Sequence, residues 1–288
     1  VTARPVWERD GRDWPNRQAS RFVQAAGLRW HVQVMGSGPA VLLLHGTGAA
    51  THSWRALAPA LAGSFTVVAP DLPGHGFTDT PPGFRLSLPG QARSVTELLR
   101  VMALQPTLVA GHSAGAAVLA RMCLDGAIAP RALVSLNGAL LPMHGLAGEV
   151  FSPVAKLLAA MPLVPHLFAT WVDDRRAVER LIRDTGSTID AEGITLYWRL
   201  ARTRAQVAGA LGMMANWNLR SLCAELPRLT IPLVLIVGGN DRTVPPADAA
   251  RVRDLVPGAR LVTLSGLGHL AHEEKPELCA MLIAECAA

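Results

Sequence analysis

No stretch of this 288-residue chain strings together about 18 apolar residues, so no segment is expected to cross a membrane as a helix. The opening residues, VTARPVWERDGRDWPNR, are charged and lack the apolar stretch of a secretion signal. Cysteine is scarce. Cys123, Cys223, Cys279 and Cys286 lie far apart and form no C-x-x-C pair, which predicts free, buried thiols in a reducing, cytoplasmic setting. Basic runs are missing as well: the formal charge of +5 comes mostly from arginines scattered along the chain, so nucleic acid is not an expected partner. The phosphate-cradling pattern G-x-x-x-x-G-K-[ST] is absent, and no cofactor is expected.

Half of the residues are hydrophobic, enough for one large core or a core with an insertion. RFVQA and LRWHVQVM read as strands joined by a hairpin turn at Ala26-Gly27. AVLLLHG is a continuous apolar run, the mark of a strand buried on both faces. Helical and strand-like segments then alternate: HSWRALAPALAG, FTVVAPD, GQARSVTELLRVMAL, PTLVAGH, AGAAVLARMCLDG and RALVSLNG. After a break, IPLVLIVGGND, PADAARVRDLV, ARLVTLSGLGH and the closing helix PELCAMLIAECAA restore the rhythm. This alternation predicts an α/β fold with a mostly parallel, eight-stranded sheet covered by helices on both faces. The break, residues 141–219, has no convincing strand and several helical runs: SPVAKLLAAM, RRAVERLIRDTG and GITLYWRLARTRAQVAGALGMM. The expected organisation is a core of residues 1–140 and 220–288 carrying a helical cap over 141–219.

GHSAG matches the G-x-S-x-G pattern between a strand and a helix, where a sharp turn lifts the Ser113 hydroxyl above the sheet. Gly111 and Gly115 would relieve crowding where strand and helix approach; a small-residue packing turn is the rival explanation. Partners decide between them, because a serine hydroxyl needs a base, and the base an acid to fix its tautomer. Asp241 follows the strand VLIVGG and His269 the strand ARLVTL, in the order Ser, Asp, His and at strand C-terminal ends, where open α/β sheets bind ligands. The expected catalytic group is therefore Ser113, Asp241 and His269. Asn137 occupies a spot where an acid could sit, but an amide serves poorly there, and Asp71 reads as a loop-ordering acceptor. His272 follows His269 by three residues, yet no third ligand cluster accompanies them, so no metal is expected. In LLLHGTG, the backbone N–H of Thr47 and that of Ala114 are candidate oxyanion donors. Gly46 and Gly48 let that loop bend, and His45 is expected to support it by hydrogen bonding.

H-G-x-G, DLPGHGFTD, GHSAG, GGND and GLGHLAHEEKPE, in that order across nearly the whole chain, resemble the α/β-hydrolase superfamily. More narrowly, WPNRQASRFV, GLRWHVQVMG and LLLHGTGAATHSWRALAP resemble the α/β-hydrolase-type accessory proteins of magnesium chelatase, associated with bacteriochlorophyll synthesis. The resemblance implies that the insertion caps the active site. Met143, Met161, Trp171, Tyr197, Trp198, Met213, Met214 and Trp217 would then suit a pocket for a small hydrophobic or flat substrate, with ordinary cap–core packing the alternative for each. Two functions follow as expectations. One is a serine hydrolase acting on an ester-like bond; the other is a non-hydrolytic tetrapyrrole-binding accessory protein, with magnesium chelatase or a porphyrin intermediate as its partner.

Overall fold

Alternate residues of the run AVLLL face opposite ways, and that alternation builds both layers of the protein. Leu42 and Leu44 enter one apolar cluster, Val41 and Leu43 the other, and all four are fully buried. The computed structural model describes residues 2–142, 161 and 174–287. A short helix α1 (Trp7–Asp10) precedes an eight-stranded sheet of order β1-β2-β4-β3-β5-β6-β7-β8. β1 (Ser20–Ala25) and β2 (Leu28–Met35) form the expected hairpin; Ala26 and Gly27 both have positive φ, 54° and 70°, as its two-residue turn requires. β2 also runs antiparallel to β4 (Thr66–Pro70). From β4 through β3 (Ala40–Leu44), β5 (Leu108–His112), β6 (Ala132–Leu136), β7 (Leu233–Gly238) and β8 (Arg260–Leu264) every pairing is parallel. All the loops at the C-terminal ends of those six strands therefore emerge along one edge.

Helices α3 (Leu88–Val101), α4 (Ala114–Leu124), α8 (Arg220–Glu225) and α9 (Pro246–Leu255) contribute to the first cluster; α2 (Leu57–Ala62), α10 (Ala271–Glu274) and α11 (Pro276–Ala284) contribute to the second. Between β6 and β7 lie α5 (Arg175–Asp184), α6 (Ala191–Ala201) and α7 (Arg204–Ala215). The run GITLYWRLARTRAQVAGALGMM, expected as one helix, is broken at Thr203, which is extended (φ −101°, ψ 128°). The break is tertiary in origin: Thr2 lies alongside, donating to the Arg202 carbonyl at 3.3 Å and accepting from Arg204 N at 3.0 Å. HSWRALAPALAG likewise divides, into a 3-10 turn over Thr51–Trp54 and α2. SPVAKLLAAM, Met143 and Trp171 lie outside the described residues.

All four cysteines are free, but only Cys279 is fully buried; the other three are half-buried, which corrects the expectation for them. Burial pushes the Cys123 and Cys279 thiols up to about 12, so neither is a reactive thiolate near neutral pH. No helix among the described residues is long and apolar enough to cross a membrane.

Candidate active site

The strand β5 runs into α4 through Ser113, whose backbone takes φ 50° and ψ −118°. For a serine this is a strained conformation, tolerated only where the surroundings over-determine it. Those surroundings are backbone hydrogen bonds: Ser113 N donates to Leu136 O at 3.1 Å, while Ser113 O accepts from Ala116 N and Ala139 N at 3.2 and 3.0 Å. The flanking glycines are demanded by close approach. A Cβ on Gly111 would stand 2.6 Å from Ala116 Cα. One on Gly115 would overlap the Leu44 carbonyl oxygen and stand 2.7 Å from that of His45, so this glycine meets β3 rather than its own strand. Because those neighbours are backbone atoms, Gly115→Ala is expected to destabilise the fold by about 1–3 kcal/mol, read as a lower urea midpoint.

At the same sheet edge, Asp241 and His269 meet. Asp241 Oδ1 accepts from Thr243 N and Val244 N at 2.8 and 2.9 Å. Its Oδ2 accepts from His269 Nδ1 and from Asn137 Nδ2, each at 2.8 Å. With Nδ1 carrying the proton that faces the carboxylate, the Nε2 lone pair of His269 is left to act as a base. Asp241 and His269 are both buried, whereas Ser113 is half-buried. Asn137, where an acid could have sat, instead donates its amide to the acid from a left-handed backbone (φ 48°). Its Nδ2 also lies 3.3 Å from Gly268 O, beside the His269 loop.

The residue before Ser113 joins the two halves. His112 Nε2 donates to the His269 carbonyl at 3.0 Å, and the two rings lie 4.7 Å apart between centroids. The His272 ring lies tilted 4.4 Å from that of His112 and 4.7 Å from that of Trp54, so it packs in the interior rather than at the surface. Burial holds both the His112 and His272 rings well below the usual histidine value, and neighbouring histidines push the same way. Both are thus neutral near pH 7, which suits packing rings. Among the described residues no group of three His, Cys, Asp or Glu side chains could hold a metal ion. The motif offered a signal for His112, namely a histidine at its variable position; the role of the Asn137 amide had none.

The loop after β3 comes within reach of the elbow: a Cβ on Gly46 would stand 2.9 Å from Ser113 Cβ. Thr47 and Gly48 form a tight turn in which Ala49 N donates to Gly46 O at 3.2 Å and Gly48 has φ 80°. His45 Nδ1 donates to Gly46 O at 2.8 Å, and its Nε2 accepts from Leu72 N at 2.9 Å. Both ring nitrogens are spent on the backbone, and burial lowers the ring's pKa. Ala114 opens α4, so its N–H has no acceptor within the helix. Behind this loop Asp71 is fully buried and accepts from Thr51 N, Phe77 N and His31 Nδ1 at 2.7, 2.9 and 2.8 Å. Burial works to raise its carboxyl, but the His31 ring and the Phe77 N–H outweigh it and hold the value at about 2.

Helices α5 to α7 pack against the loops at this edge, Val178, Ile182 and Ile194 with Leu270 and Met213 with Ala114. Met213, fully buried, packs with Ala114 and Leu86, while Trp217 is partly buried against them. Tyr197 and Trp198 are used otherwise. Tyr197 donates to Glu273 Oε1 at 2.7 Å, and Trp198 lies under the Arg202 guanidinium at 4.6 Å. Met161 is 47% exposed and Met214 half-buried.

Residues 39–276 match the alpha/beta hydrolase fold family. The chain is 40% identical over 266 residues to the magnesium-chelatase 30 kDa subunit of Rhodobacter capsulatus, covering 91% of this chain and 92% of that protein. It is 27% identical to the pimeloyl-[acyl-carrier protein] methyl ester esterase of Aeromonas hydrophila, over 85% of this chain and 94% of the esterase. Among solved structures, an alpha/beta hydrolase fold protein from Burkholderia ambifaria superposes with a TM-score of 0.79 at 21% identity, over 93% of this chain and 97% of that one. Sheet order, parallel pairing and the family match lead to one assignment: the chain belongs to the alpha/beta hydrolase family.

Proposed function

We propose that the protein is a serine hydrolase that cleaves an ester-like bond of a small hydrophobic substrate, with Ser113 as nucleophile, His269 as base and Asp241 as its orienting acid. The observation that carries this reading is the strained backbone of Ser113 (φ 50°) at a strand-to-helix junction. A packing turn has no use for such strain, whereas a nucleophile must be lifted clear of the sheet. The 2.8 Å contact between Asp241 and His269 on the same edge supports it. His269 Nε2 takes the hydroxyl proton as Ser113 Oγ attacks the acyl carbon. The N–H groups of Thr47 and Ala114 receive the developing oxyanion. Collapse breaks the ester C–O bond, and the leaving alkoxide takes the proton from His269. Water then attacks the acyl-enzyme, giving a proton to His269, which passes it to Ser113 Oγ as the acyl C–O bond breaks and the acid leaves. The Trp217 side chain, partly buried against the Ala114, Leu86 and Met213 cluster, supplies apolar surface for the substrate.

A fluorophosphonate probe tests this without knowledge of the substrate. The probe is expected to label the peptide bearing Ser113, and to label nothing in Ser113→Ala; adducts elsewhere, or none, would end the proposal.

A second reading is favoured by the 40% identity to the magnesium-chelatase 30 kDa subunit: an accessory role in tetrapyrrole metabolism, with magnesium chelatase or a porphyrin as partner and no hydrolysis. Magnesium insertion by the chelatase, assayed with wild-type protein and with Ser113→Ala, separates the two. Stimulation that survives the substitution supports the binding role; stimulation lost with the hydroxyl supports hydrolysis.

A further inference from the structure

From helix α7 the side chain of Gln206, 4% exposed, grips two loops at once. Its Oε1 accepts from Gly76 N at 2.8 Å, and its Nε2 donates to Gly48 O at 2.9 Å and to Ala49 O at 3.3 Å. Gly48 and Ala49 complete the turn that carries Thr47. His45 ties that turn through the Gly46 carbonyl, and Gln206 ties it through those of Gly48 and Ala49. The same helix touches the turn once more, where Thr47 Oγ1 donates to Met213 Sδ at 3.5 Å. An apolar residue of similar size could fill the space of Gln206, but it could not hold two carbonyls and an N–H in register.

We propose that Gln206 is a positioning residue: it fixes the Gly46–Ala49 turn so that the Thr47 N–H stays where an oxyanion forms. Helix α7 is then part of the reacting scaffold and not a cover that swings away. This rests on the serine-hydrolase reading above. A donor displaced by about 1 Å loses much of its worth to a transition state while leaving binding of the ground state nearly unchanged.

Gln206→Met keeps the bulk and removes all three hydrogen bonds. Saturation kinetics of fluorophosphonate labelling at Ser113 are the readout. The maximal labelling rate is expected to fall roughly 10- to 100-fold, with the half-saturating concentration changed by no more than about twofold. Hydrogen exchange should rise in residues 45–50 and hold steady in the sheet. Should Gln206→Met fail to fold, Gln206→Glu retains the acceptor for Gly76 N and turns a carboxylate oxygen on the Gly48 carbonyl, and the same fall is expected. Labelling at the wild-type maximal rate, or unchanged exchange in residues 45–50, would overturn the role of Gln206 alone. A wild-type Ser113 that takes up no probe would overturn the hydrolase reading and this inference with it.

Discussion

Asp241→Asn is expected to lower turnover of an activated ester about ten-thousand-fold while leaving the protein folded. Asp241 accepts four hydrogen bonds: from two backbone N–H groups at Oδ1 and from His269 and Asn137 at Oδ2. An asparagine has only one carbonyl oxygen for them. The rigid N–H groups of Thr243 and Val244 claim it, and the new amide nitrogen then faces His269. His269 Nδ1 must turn acceptor, its proton moves to Nε2, and no lone pair remains to receive the Ser113 proton. The variant is expected to fold because the Asn137 amide can flip and offer its otherwise unpartnered oxygen to the new amide, giving up its 3.3 Å contact with Gly268 O. Ester hydrolysis measured beside a thermal melt checks this. A variant within tenfold of the wild-type rate would show that Asp241 is not the acid.

Acidification from pH 7.5 to 5 should remove several kcal/mol of stability. Burial lowers His52 and His75 to about 3 from their ordinary 6.5, so both are neutral in the folded protein. His52 packs against the rings of Tyr197 and Trp14, and His75 against His45. The unfolded chain takes up these protons first. Their contribution is intact above pH 6.5 and drains away as pH falls toward 3; at pH 5 each has lost about 2 kcal/mol. His45, His112 and His272 are lowered for the same reason and add to the loss. Glu273 works the other way. Burial raises its carboxyl to about 7 against the pull of Arg55 and Tyr197, so the folded protein binds that proton first and regains about 2 kcal/mol by pH 5. Urea unfolding at the two pH values measures the net effect, and equal free energies would contradict it.

Much of this arrangement is legible in the residue string, because strand edges are one-dimensional patterns. VLIVGG must be a buried strand, so Asp241 must lie just past its end; the same logic places His269 and the loop of His45. The eight strands and the parallel majority follow from that pattern too. What the string hides is decided between segments far apart. Thr203 sits in a strongly helical run, and only the arrival of Thr2, some 200 residues away, makes it extended. Gln206 reads as one more polar residue on a helix until the loops at Gly48 and Gly76 are seen beside it. Tyr197 and Trp198 look like pocket walls, yet Tyr197 is committed to Glu273 and Trp198 to the Arg202 guanidinium. Side-chain chemistry can be read off a sequence; the neighbour that uses it cannot.

The segment between α5 and α6 bears on how such a site can change. Thr185 O accepts from Arg242 N at 3.1 Å and lies 3.4 Å from His269 N, while Ser187 Oγ accepts from Leu270 N at 2.8 Å. One short stretch thus tethers the loops of Asp241 and His269 together. A substitution in that stretch is expected to displace Asp241 and His269 together rather than apart. Substitutions there offer a route for tuning reactivity by degrees, whereas changes at the acid or base themselves act all at once.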